Sequence, residues 1–68
     1  MNIPKFKGVM VEKGITRDEL CNMWGKSMST VQRKLDGKSP ITLDEALVFS
    51  DRASLTDEEK YAIFLAVK

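Results

Sequence analysis

A chain of 68 residues with eleven Lys plus Arg against ten Asp plus Glu has room for one small domain, which buries only about 60% of its unfolded surface and is marginally stable. Its formal net charge of +1, absence of histidine and single cysteine, Cys21, exclude imidazole catalysis, an internal disulfide and a cysteine-rich zinc site, and suit a reducing cytosol. The longest apolar run, residues 61–67, is seven residues long against the ~20 that span a bilayer, and no charged stretch leads into an apolar signal segment, so a soluble intracellular protein is expected.

Taken in chain order, Asn2 and Pro4 suit a helix start, Phe6, Val9 and Met10 share one face, and Gly14 supplies a left-handed stop; a first helix is expected over about residues 3–13. Thr16-Arg17-Asp18-Glu19 opens a second helix, about 17–24, that buries Leu20, Cys21 and Trp24 and ends at Gly25. Ser27 caps a third, about 28–36, with Val31 and Leu35 inward and Gly37 closing it. After a Lys38-Ser39-Pro40 loop, Thr42-Leu43-Asp44-Glu45 opens a fourth, about 43–51, with Leu43, Ala46, Leu47 and Ser50 inside. Thr56-Asp57-Glu58-Glu59 opens a fifth, about 57–67.

The three Thr-x-x-Glu segments are capping boxes, in which the Thr hydroxyl accepts the N–H three residues on and the Glu reaches back to the Thr N–H. Ile15, Ile41 and Leu55 precede them, and Leu20 and Ala46, four past the first two Thr residues, complete a hydrophobic staple there. No period-two alternation marks a strand. The expected fold is an all-α bundle of five short helices, each marginal alone and formed by packing. Its expected core is Phe6, Val9, Met10, Leu20, Cys21, Trp24, Val31, Leu35, Leu43, Leu47, Tyr61, Phe64 and Leu65.

Residues 16–38, a short helix, a glycine turn and a second helix with two inward residues, have the layout in which one helix braces another that projects outward. Glu19, Leu20, Gly25, Ser27, Val31 and Gly37 fall where the lambdoid repressor and Cro family has its helix-turn-helix. The chain resembles that family over about residues 3–52, and in particular the small phage and prophage regulators of Gram-positive bacteria. Cys21 in place of the usual alanine and Lys26 after the turn glycine depart from the pattern; the Lys26 stem can cover the turn while its ammonium reaches outward.

The resemblance implies a DNA-binding transcriptional regulator, with residues 28–36 as the recognition helix in the major groove and the second helix crossing the backbone above it. The residues agree. Met28, Ser29, Gln32 and Arg33 lie opposite Val31 and Leu35; Arg suits guanine O6 and N7, Gln suits adenine N6 and N7, Met touches a thymine methyl and Ser takes either base type. Arg17, Lys26, Ser27, Thr30, Lys34, Lys38 and Ser39 are candidates for phosphate contacts, which set register without reading sequence. On periodicity alone the third helix is an ordinary surface helix; the box, glycine turn, second cap and closing Gly-Lys together point to the motif. Glu19, Glu45 and Glu59 read as caps rather than catalytic acids, and Cys21 as a small core residue. No nucleophile and base pair can be assembled, so no enzyme and no cofactor are expected.

In the fifth helix, Tyr61, Phe64 and Leu65 form one apolar face, and Ala62, Ile63, Ala66 and Val67 leave a second. Either the monomer wraps it or a second protomer covers it. A twofold dimer would set two recognition helices about 34 Å apart on a pseudo-palindromic operator. The resemblance also implies a location in the bacterial cytoplasm, at the nucleoid when DNA-bound. A second class of function is a protein-interaction module, an antirepressor or modulator that uses the same fold to bind another regulator. Charge divides unevenly: residues 1–40 carry eight bases and four acids, residues 41–68 three and six. The near-neutral total therefore contains a basic half, and that half holds the two-helix motif.

Overall fold

Side-chain caps set where each helix begins. Asn2 Oδ1 accepts the Lys5 N–H at 3.1 Å, and Ser27 Oγ accepts the Thr30 N–H at 3.3 Å. Thr16, Thr42 and Thr56 accept from the Glu N–H three residues on at 3.2, 3.2 and 3.1 Å, while the Glu carboxylates take the Thr N–H groups at 3.1, 2.9 and 2.9 Å. All three capping boxes expected from the sequence are formed. The computed structural model describes residues 1–64, and among them the helices are α1 Ile3–Lys13, α2 Arg17–Trp24, α3 Met28–Leu35, α4 Leu43–Ala53 and α5 Asp57–Phe64, with no strand.

The first four helices close alike. Ile15, Lys26, Lys38 and Leu55 each donate their N–H to the carbonyl five residues back, at 2.8, 3.1, 2.9 and 3.0 Å. That wrap needs a left-handed residue just before the donor. Glycine supplies it three times, as at Gly25 with φ +64°, but at the end of α4 it is Ser54 with φ +53°. A serine there pays a steric penalty that glycine avoids, which is why the sequence carries no stop signal and α4 runs two residues past its expected end.

Phe6 sits at the centre of the core, with ring centroids 4.3 Å from Phe49, 6.2 Å from Trp24 and 6.1 Å from Phe64. Val9, Leu20, Val31, Leu35 and Ile63 complete it, with Met10, Ile15, Ala53 and Leu55 buried at its edges. α2 packs on α3 and α4, and α1 on α5. The Asn2 N–H donates to the Ile63 carbonyl at 2.8 Å, tying the start of the chain to α5.

Two helices are turned relative to the sequence expectation. On α4, Ala46 and Ser50 are buried as expected, together with Glu45, Phe49 and Ala53, whereas Leu43 is 74% and Leu47 55% exposed. Both faces of α4 carry apolar residues, and the larger Phe49 ring, with Trp24 bonded to this helix, takes the inside. On α5 the core residue is Ile63, fully buried, and Tyr61 is 63% exposed. The expected docking face of α5 is therefore overturned at Ile63, which the monomer itself encloses; Ala62 and Phe64 are half-buried. Leu65, Ala66 and Val67 lie outside the described residues. Cys21 is half-buried against the core. Because Leu47 faces water, Leu47→Gln is expected to change the unfolding free energy by no more than about 0.5 kcal/mol in urea denaturation; a loss of 2 kcal/mol or more, the cost of emptying a core leucine site, would contradict this placement. Among the described residues no helix is long and apolar enough to cross a membrane.

Candidate nucleic-acid interface

Gly25, Lys26 and Ser27 alone join α2 to α3. The left-handed Gly25 turns the chain, Lys26 closes α2, and the Ser27 hydroxyl starts α3 while donating to Thr30 Oγ1 at 3.1 Å. Val31 and Leu35, with 0% and 1% exposure, fix which side of α3 faces in. Ser29 and Arg33 are exposed on the outer side of α3 and Gln32 is half-buried, while Met28, 43% exposed, borders the groove against α1. There is no acid within α3.

The polar groups on that side are partly held. Arg33 Nε donates to Ser39 Oγ at 3.3 Å, which leaves both Nη groups of the guanidinium fork free. Gln32 Nε2 donates to Asp36 Oδ1 at 2.9 Å and keeps its second N–H and its carbonyl oxygen for another partner. The Lys38 and Ser39 N–H groups fold back onto the Arg33 carbonyl at 2.9 and 3.3 Å. Arg33, Lys38 and Ser39 thus gather at the C-terminal end of α3. Arg17 and Lys26 are exposed at the start and just past the end of α2, and Thr30 and Ser39 are half-buried. Ser27 Oγ also lies 3.3 Å from Ser29 Oγ, so its hydroxyl is engaged within α3.

Lys34 is a correction. Instead of reaching outward to phosphate, its ammonium is buried, donating to Glu45 Oε1 at 2.9 Å and to the Pro40 carbonyl at 2.7 Å. Lys34 is one position before Leu35 and three after Val31, on the inner flank of the same stripe, and that spacing is the signal that could have placed it. Glu45 is the hub: its carboxylate also caps α4 through the Thr42 N–H, and its carbonyl accepts Trp24 Nε1–H at 3.0 Å. One residue therefore fastens α2, α3 and the α3–α4 loop to the start of α4. A second tie, Arg52 Nη2 to Glu19 Oε2 at 2.6 Å, joins the end of α4 to the start of α2, with side chains 52% and 34% exposed. Solvent screens a pair of that kind. No buried side-chain polar atom among the described residues lacks a partner.

Burial pushes the Glu45 carboxyl up, but the Thr42 N–H and the Lys34 ammonium outweigh it and hold the carboxyl below the ordinary 4.5. Glu19 is lowered by the Thr16 N–H and then by Arg52; Glu59 is lowered chiefly by the Thr56 N–H. A carboxyl lowered by folding stabilises the fold fully above its unfolded value and loses that contribution as pH falls through the folded one. The urea midpoint is accordingly expected to be level from pH 7 to about 5 and to fall steadily below about 4.5. A rise in stability on acidification through pH 4 would contradict these assignments.

No protein-family model, curated protein or solved structure matches the chain.

Proposed function

We propose that the chain is a sequence-specific DNA-binding transcriptional regulator, with α2 and α3 acting as a helix-turn-helix and α3 entering the major groove. The observation that carries this reading is the outer side of α3. It presents Ser29 and Arg33, with Met28 and the half-buried Gln32 at its margins and Asp36 held by Gln32, on a helix whose Val31 and Leu35 are buried and whose flank is fastened through Lys34. A reader of base edges needs donors and acceptors on a rigid element narrow enough for the groove. Arg17, Lys26 and Lys38 are the cations available for phosphates; Ser27, Thr30 and Ser39 lie beside them, with the Ser27 hydroxyl bonded to Thr30 and the Ser39 hydroxyl to Arg33. One chain presents one reading helix, so the unit of recognition is a single half-site.

Selection from a random DNA pool followed by anisotropy titration tests this reading. With three cationic phosphate contacts, log K is expected to fall with log salt with a slope of about −3, and the selected sequence should hold its advantage over random competitor at every salt concentration. Failure to enrich any sequence would remove the reading. Weak non-specific binding is expected throughout, because the formal charge is only +1 and counterion release supplies most non-specific affinity.

A further inference from the structure

Two exposed apolar surfaces stand out, one apart from the proposed DNA interface and one that shares Arg17 and Met28 with it. The outer side of α4 is a ridge of Leu43, Leu47 and Val48, respectively 74%, 55% and 42% exposed, with the exposed acids Asp44 and Asp51 towards its two ends. The second is an open groove of about 560 Å³ between α1 and the starts of α2 and α3. Met10, Val11 and Met28 supply its apolar surface, and Lys7 and Arg17 outnumber the acid Asp18 around it. Val11 is 83% exposed and Met28 43%, so the apolar part of the groove is itself open to solvent. Methionine side chains adapt to varied apolar partners.

We propose that the α4 ridge of one copy seats in this groove of a second copy. The contact is head-to-tail between unlike surfaces, and because it covers Arg17 and Met28, self-association competes with DNA. The pairing follows from shape and charge. A convex apolar ridge bearing two carboxylates meets a concave apolar surface bearing an ammonium and a guanidinium. Pairing like with like fails: an antiparallel α4 pair with Leu47 on Val48 sets Asp44 against Asp51, and two grooves face to face bring Lys7 and Arg17 of one copy towards those of the other. Like charges brought together in a contact oppose it. A head-to-tail contact leaves one ridge and one groove open at the ends of any assembly, so it continues beyond two copies unless a ring closes. A contact made by about three apolar side chains on each surface belongs to the weak, transient class.

Sedimentation of the intact chain and two surface variants tests the contact without DNA. Leu47→Glu removes the ridge and Val11→Glu the groove, both at exposed positions that leave the core intact. The wild-type weight-average mass should rise above 7.7 kDa between about 10 μM and about 1 mM, while each variant alone stays monomeric. An equimolar mixture of the two variants should form a species of twice the chain mass and nothing larger, since one intact ridge meets one intact groove. A wild type that stays monomeric, a variant that associates by itself, or a mixture that does not pair would each overturn the proposal. The competition rests on the DNA-binding reading and has its own arm: a Val11→Glu/Arg33→Ala chain, with its ridge intact, should release labelled selected DNA from Leu47→Glu. DNA that stays bound overturns the competition. If no chain binds DNA selectively, the DNA reading and the competition fall together, and the contact stands or falls on sedimentation.

Discussion

Lys34→Met is expected to destabilise the fold by about 3–5 kcal/mol, the cost of removing one partner of a buried ion pair and leaving the other charged. The side chains of Lys34 and Glu45 are 8% and 7% exposed, and the ammonium also satisfies the Pro40 carbonyl. A domain of this size has only about 3–10 kcal/mol in total, so the loss is a large fraction of it, with the thermal midpoint lowered on the order of 15–30 °C. Adding Glu45→Gln removes the orphaned charge while keeping a residue that serves a capping box. The double variant should recover most of the loss. Urea denaturation followed by circular dichroism gives both numbers; a single variant within 0.5 kcal/mol of wild type would show that the ammonium is not held as described. In the refolded double variant the salt slope of DNA binding should be that of wild type, whereas loss of a phosphate contact would lower it by about one.

Arg33→Ala should lower the preference of the selected DNA over a version changed at one base pair by about 1–3 kcal/mol, roughly 5- to 150-fold, with a far smaller effect on random DNA. Arg33 has the exposure and the free Nη pair for this, and Ser39 holds its Nε. Competition anisotropy against the four bases at each position of the selected site identifies the one whose discrimination collapses. An equal loss on every sequence would make Arg33 a phosphate contact instead. Fold loss is not a confounder, since the side chain is exposed and its one recorded side-chain bond is to Ser39 on the surface.

Much of the scaffold for these tests was legible in the chain. A capping box is a relation between residues three apart, and a glycine stop between residues within one turn; neither needs the rest of the molecule. That is why all five helix starts, and the sides of α1, α2 and α3 that face inward, follow from their patterns. The outer side of α3 was legible for the same reason, because Val31 and Leu35 are the only large aliphatic pair on it one turn apart.

The buried sides of α4 and α5 were legible only in part, through Ala46, Ser50 and Phe64, and Lys34 only through its place beside the Val31–Leu35 stripe. Ala46 and Ser50 can go inside with Leu43 and Leu47, as the sequence suggests, or with Phe49 and Ala53, as the structure has them. The choice between them is made by groups distant in sequence: the Trp24 indole, 21 residues before Glu45, and the Lys34 ammonium. Spacing puts the Lys34 ammonium on the inner flank of the stripe but alone does not make it point inward. The ammonium does so because α4 brings a carboxylate already needed as a cap to within 2.9 Å. The sequence by itself thus determined where helices start, where most of them stop and that Val31 and Leu35 of α3 face inward, since those are short-range hydrogen-bond and periodicity relations. The tertiary structure alone decided which side of α4 and α5 is buried, and that Lys34 is a strut rather than a contact, because burial of competing apolar faces and pairing of buried charge are settled only by what packs against them.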